Sequence, residues 1–244
     1  MGTGSTRRWL GERKLADGPS GAEAKPAATV VVLRDCDVGI EVLLAKRSSK
    51  LAFHGGAWVF PGGRVDPEDY ADDPEDVIAA ARRAAAREAM EEAGVHVDHV
   101  TLVHVSNWTT PDIAPKRFAT WFFAGRAGEG DGVADGVETD ALAWFRPADA
   151  LEARSRGEIE LAPPQYVTLL ALEGFDDVDA ALRALAVQEP FDFQPRFHFG
   201  DDGAALCLYE GDVAFADVTA VDADGPRHRL VMEKVSWRYE RTTS

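Results

Sequence analysis

Cysteine is scarce: Cys36 and Cys207 are the only two in 244 residues. That is too few for a disulfide framework, so a reducing, cytoplasmic setting is the simpler expectation. No apolar run reaches transmembrane length, and no signal-peptide core is evident. The closing Arg241-Thr242-Thr243-Ser244 is not a peroxisomal SKL-type address. Basic residues are also in short supply, 26 against 42 acids, for a formal charge of −16. That balance argues against nonspecific binding to nucleic acid or to an anionic membrane. An anionic ligand would need a local basic pocket and a metal ion. Hydrophobic residues make up 45% of the chain and charged residues 28%, enough of each for a soluble globular protein with a sizeable core. The length suits one large domain, or one domain with an extension.

Against this background one stretch stands out: Arg87-Glu88-Ala89-Met90-Glu91-Glu92-Ala93-Gly94-Val95 closes an alanine-rich, helix-forming run. In a helix, Glu88, Glu91 and Glu92 share one face at i, i+3 and i+4. Three like charges near a helix C-terminus repel one another and oppose the macrodipole. A hard divalent cation with oxygen ligands, Mg²⁺ or Mn²⁺, would offset that cost. A glutamate pair on a helix is by itself most often a solvated face. Here it sits between Phe60-Pro61-Gly62-Gly63-Arg64-Val65, a tight turn after an apolar strand, and Gly94, which suits a helix C-cap.

This constellation resembles the Nudix hydrolase signature: glycine, five residues, glutamate, seven residues, then R-E-aliphatic-x-E-E-x-G-aliphatic. The second half matches from Arg87 to Val95, with Ala89 as a small aliphatic. The first half departs, because Gly63 lies 24 positions before Arg87, ten more than the family spacing. Counting forward from Gly63 reaches Asp69, and counting back from Arg87 reaches Ala79. The structural glutamate that would pair with Arg87 is therefore not identified by spacing, and Asp66, Glu68, Asp69, Glu75 and Asp76 are its candidate replacements. The lengthened segment 64–77 is similar to a coenzyme A diphosphatase-like subgroup with an interrupted Nudix box. So are Leu43-Leu44, Arg47-Ser48, Gly56 and Phe60 to Gly63, although Ala52 stands where that subgroup's motif has a second arginine.

The resemblance implies an α/β fold, a mixed β-sheet sandwiched between helices, and a metal-dependent pyrophosphohydrolase. Glu88, Glu91, Glu92 and the carbonyl of Gly63 would hold Mg²⁺ or Mn²⁺, with Gly62, Arg87 and Gly94 as structural parts of the motif. Glu88 is the first choice for the catalytic base, alongside Glu92, and Glu138 on a late loop is the second. Arg47, Lys46 and Arg117 could meet substrate phosphates, although strand-end basics are as often plain surface charge. Phe53, Trp58 and Trp121 could stack on a base, although aromatics are more often core. The substrate would be a small nucleotide, with coenzyme A or an acyl-coenzyme A first. ADP-ribose or NADH is the alternative, as is a noncatalytic nucleotide-binding sensor. A homodimer stays open.

Along the chain, residues 1–26 read as a mobile arm, 27–172 as the hydrolase domain and 173–244 as an extension packed on the core. Ala27–Leu33 and Gly39–Lys46 read as a hairpin. Pro74–Ala93 reads as the long helix, with Asp73 as N-cap. Strands are expected within 57–60, 95–105, 117–124 and 140–145. Helices are expected at 147–154, 164–172 and 178–186, and β-like pieces near 204–209 and 229–239.

Overall fold

The computed structural model describes residues 22–49, 55–71, 73–128, 132, 134, 136, 139–200, 204–233 and 236–242. In chain order its elements are β1 (Ala24–Cys36), β2 (Gly39–Arg47), β3 (Trp58–Val59), β4 (Gly62–Arg64) and a short 3₁₀ turn (Pro67–Tyr70). Then come α1 (Val77–Ala93), β5 (Val103–Thr109), β6 (Arg117–Arg126), β7 (Thr139–Phe145), α2 (Pro147–Ser155), α3 (Pro163–Ala171) and α4 (Val178–Ala186). The chain finishes with β8 (Phe191–Phe193), β9 (Arg196–Phe199), β10 (Ala205–Leu208), β11 (His228–Met232) and β12 (Trp237–Arg241).

β1 is the spine. Its C-terminal half forms an antiparallel hairpin with β2, Cys36 opposite Gly39, so the turn is only Asp37-Val38. Its N-terminal half pairs with β4, and its other edge runs parallel to β6 from Ala24 to Leu33. Residues 24–26, expected in the arm, are therefore strand. Pro26 has no N–H to donate, yet its carbonyl accepts the Val65 N–H at 3.1 Å.

Side chains alternate across β1. Ala28, Val30 and Val32 pack toward α1, while Val31 and Leu33 face the opposite core with α3 and α4. The contact face of α1 is Ala80, Ala81, Ala84, Ala85, Ala89 and Ala93, all fully buried. Such small side chains bring the helix backbone close to the sheet. The result is a mixed β-sheet between helices, the α/β/α sandwich that the order of elements predicts.

Several boundaries differ from expectation. α1 starts at Val77, and Asp76 caps it by accepting the Ala79 N–H at 2.9 Å. Asp73 is occupied one turn earlier, accepting the Glu75 N–H. Within 95–105 only the end is strand; Val95 and Val97 are buried loop anchors against the helix-side core. The extension also contributes more strand than expected. β8 joins the main sheet parallel to β5, and β9 to β12 form a separate four-stranded antiparallel sheet. Prolines at 190 and 195 bracket the short Phe191–Phe193 piece and hide its periodicity.

Candidate active site

The turn Phe60–Arg64 is held against β1 before any catalytic group is placed. Thr29 Oγ1 donates to Pro61 O at 2.6 Å, and Val30 N–H donates to the same carbonyl at 3.0 Å. Gly62–Arg64 then pairs with Ala27–Thr29 as β4. A Cβ on Gly62 would lie 2.5 Å from Ala28 O, which accounts for glycine there. A Cβ on Gly63 would lie 2.3 Å from Glu88 Oε1, so that space belongs to the Glu88 carboxylate.

The helix is tied to this turn from its own side. Gly62 N–H donates to Glu92 Oε2 at 3.0 Å, and Glu92 is only 8% exposed. Arg87 is the centre of an ion cluster. Its Nε and Nη2 donate to the two carboxylate oxygens of Asp69 at 3.2 and 2.9 Å, and Nη2 also donates to Arg64 O at 3.0 Å. Its Nη1 donates to Glu88 Oε1 at 3.0 Å and to Glu91 Oε2 at 3.1 Å. The hydrogen bonds that Arg87 donates to Asp69, together with the nearby Glu88 carboxylate, push the Arg87 pKa above its usual range despite partial burial. Gly94 ends the helix in the left-handed region, φ 63°, its N–H reaching Ala89 O and Met90 O.

Asp69 therefore does the work of the missing glutamate. It is 5% exposed, forks onto Arg87, and also accepts the Asp66 N–H at 2.9 Å. Forward counting from Gly63 reaches this residue, so the first half of the signature is intact with aspartate in place of glutamate. The ten extra residues all lie between Asp69 and Arg87, in the 3₁₀ turn, the loop and the first turns of α1.

Burial raises the pKa of Glu88 above the ordinary carboxylate value, and the Arg87 guanidinium opposes that rise. A carboxyl with raised proton affinity suits a proton acceptor. Glu91 is the exposed member of the trio. Among the described residues no three acid, histidine or cysteine groups converge on one metal-sized point, and Arg87 Nη1 bonds both Glu88 and Glu91. The donor set, carboxylate oxygens on adjacent helical turns with backbone carbonyls close by, still fits a hard divalent cation.

A cavity of about 800 Å³ opens beside these groups. Gly62, Gly63, Arg87, Glu88, Glu91, Glu92 and Arg47 all line it. The Arg47 Nε is buried with no hydrogen-bond partner among the described residues. Lys46 and Arg117 are not in the lining; the Arg117 guanidinium donates to the carbonyls of Thr110 and Ala22. Trp58 packs edge-on against Phe145, and Trp121 belongs to the core under α1. Phe53 and Glu138 lie outside the described residues. The lining also includes Trp108, Gln165 and Phe197, which the sequence reading did not single out. They come from three distant segments, and no local motif marks them.

The fold and the clamped glycine turn beside three glutamates define a hydrolase that acts on pyrophosphate bonds. The profile of the NUDIX domain matches residues 24–164, more than half of the chain, and the chain belongs to that family. Nudix hydrolases generally use divalent metals such as Mg²⁺ or Mn²⁺. "Putative nudix hydrolase 7" of Caenorhabditis elegans is 25% identical over 255 residues, spanning 84% of each protein. A peroxisomal coenzyme A diphosphatase of the same organism is 37% identical over 91 residues, 36% of each protein. A NUDIX hydrolase of Alicyclobacillus acidocaldarius has a similar structure, with TM-score 0.61 and 26% identity, covering 69% of this chain and all of that one. No helix among the described residues is long and apolar enough to cross a membrane.

Proposed function

We propose that this hydrolase cleaves the diphosphate of coenzyme A or an acyl-coenzyme A, giving 3′,5′-ADP and the (acyl-)phosphopantetheine. The observation that carries the reading is the Asp69–Arg87 fork, which holds the Gly62-Gly63 turn against Glu88 and Glu92 at the mouth of a nucleotide-sized cavity. The partial likeness to a coenzyme A diphosphatase and the Leu43-Leu44, Arg47-Ser48 and Phe60–Gly63 pattern favour coenzyme A among the nucleotides.

Glu88, Glu91, Glu92 and the Gly63 carbonyl are the groups that would hold Mg²⁺ or Mn²⁺. When bound, the ion neutralises phosphate charge and makes a water molecule more acidic. The remaining work falls to the chain's own residues. Arg47, which lines the cavity, supplies a guanidinium for the substrate's phosphates. Arg87 fixes the turn and the helix at one spacing. Glu88 accepts the proton as water oxygen bonds to one phosphorus. The bridging P–O bond then breaks, and its electron pair leaves with the second phosphate. Glu92 keeps Gly62 in place through its N–H contact.

Product analysis tests this assignment. The protein is incubated with Mg²⁺ or Mn²⁺ and coenzyme A, acetyl-coenzyme A, NADH or ADP-ribose. Appearance of 3′,5′-ADP with phosphopantetheine is the expected result. AMP from NADH or ADP-ribose alone would retain the hydrolase and discard coenzyme A. No cleavage of any compound would favour a nucleotide-binding sensor.

A further inference from the structure

The cavity has two chemically distinct sides. Among the described residues, every charged residue in its lining, from Arg47 to Glu92, comes from residues 47–92. Among the described residues, the wall contributed by residues 108–207 carries no charged side chain. Part of that wall, Gln165, Pro195, Phe197 and Cys207, lies beyond the NUDIX match, which ends at residue 164. The ring faces there are already covered in part: Phe193 of β8 stacks on Trp108 at 3.9 Å and 7°, and Phe122 meets Phe60 edge-on. A ligand group on this side therefore meets ring edges, proline rings and the half-buried Phe197. Gln165 is 7% exposed, and its Oε1 has no hydrogen-bond partner among the described residues.

We propose that the C-terminal extension is part of the substrate site. Phe197, with Pro195, Trp108 and Phe122, forms an uncharged compartment that takes an apolar chain joined to the diphosphate, and Phe197 selects which chains enter. The proposal rests on the pyrophosphohydrolase reading above and adds the substrate's orientation. An anion on the uncharged side would be desolvated with no cationic partner among the described residues. Any further phosphate must lie on the side of Arg47 and Arg64, which leaves the apolar end of the substrate against Phe197.

Two substrates of equal chain length test it. Butyryl-coenzyme A ends in a methyl group and succinyl-coenzyme A in a carboxylate. The wild type is expected to favour butyryl by roughly tenfold or more in kcat/KM, the scale on which an apolar pocket discriminates. Phe197→Arg is expected to bring that ratio to one or invert it. Phe197→Leu, with melting checked, guards against a folding artefact and should keep the butyryl preference. Equal kcat/KM for both substrates in the wild type, or an unchanged ratio in Phe197→Arg, would overturn the compartment. If the wild type cleaves no coenzyme A compound, the functional reading fails, and binding still decides the compartment. By calorimetry, geranyl diphosphate should then bind wild type at least tenfold more tightly than inorganic pyrophosphate, and Phe197→Arg should lose the difference. Equal affinity of the wild type for both probes would overturn it.

Discussion

Gly62 and Gly63 are neighbours, yet each excludes a side chain for a different reason. A Cβ on Gly62 meets backbone, the Ala28 carbonyl and Thr29, which cannot move without breaking the β1–β4 pairing. Gly62→Ala should therefore destabilise the fold by about 1–3 kcal/mol, as overpacking does, seen as a lower urea midpoint. The atoms nearest to a Cβ on Gly63 all belong to the end of the Glu88 side chain, which can swing away. Gly63→Ala should melt close to wild type and still lose roughly 100-fold in kcat, since a displaced catalytic group is costly. Glu88 makes a third residue-scale case. Its folded pKa is raised, so the stability linked to its protonation is present below the unfolded value and lost as pH rises through the folded one. Without metal, Glu88→Gln should therefore raise the melting temperature at pH 8 relative to wild type and have little effect at pH 4. Equal melting at both pH values would contradict the burial argument.

Among the elements, α1 and the glycine strand β4 act as one unit because Arg87 forks onto Asp69 of the 3₁₀ turn that follows β4 and donates to the Arg64 carbonyl. Asp69→Ala leaves a part-buried guanidinium without its fork, and a loss of roughly 1–3 kcal/mol is expected, with partial exposure of Arg87 moderating it. Activity should fall as well, because the glycine turn loses its spacing from Glu88. Asp69→Glu, which restores the family's residue type, should recover part of both. This clamp also marks the limit of what was legible in the sequence. The glutamate face, the Gly94 cap and the glycine turn were readable because each depends on neighbours within a few positions. The identity of the clamp was not, since spacing left five acids open and only the fold selects Asp69. The start of α1 was misplaced for a similar reason: Asp73 and Asp76 both suit a cap, and tertiary packing of Val77 onward decides between them.

For the whole molecule, the extension is held by its own polar core. Arg229 forks onto Asp212 at 2.7 and 2.5 Å, both side chains buried, and His228 N–H donates to Asp212 at 2.8 Å. Burial opposes ionisation of Asp212, but Arg229 and the backbone donors outweigh it and lower its pKa. Asp212→Ala strands a buried guanidinium, with an expected loss of about 3–5 kcal/mol by urea denaturation. His228 bonds Glu210 O and Tyr239 Oη, and burial lowers its pKa below 6.5. Its folded value is depressed, so the neutral form contributes stability above the unfolded pKa. That stability is lost as pH falls from about 6.5 through the folded value. A His228→Gln variant should show a flatter decline in melting temperature between pH 7 and pH 5. None of this network was legible from sequence, because Asp212 and Arg229 lie 17 positions apart on either side of an irregular loop. The same holds for the cavity wall, where Trp108, Gln165 and Phe197 meet only once β8 has joined β5.

The role of the glutamate face is tested most directly by kcat in saturating Mg²⁺ for wild type, Glu88→Gln and Glu92→Gln, with acetyl-coenzyme A as substrate and melting measured in parallel. Loss of roughly 100- to 10,000-fold in both variants, with folding retained, is the expected result. Near-wild-type kcat in either folded variant would mean that the hydrolysis is carried out elsewhere.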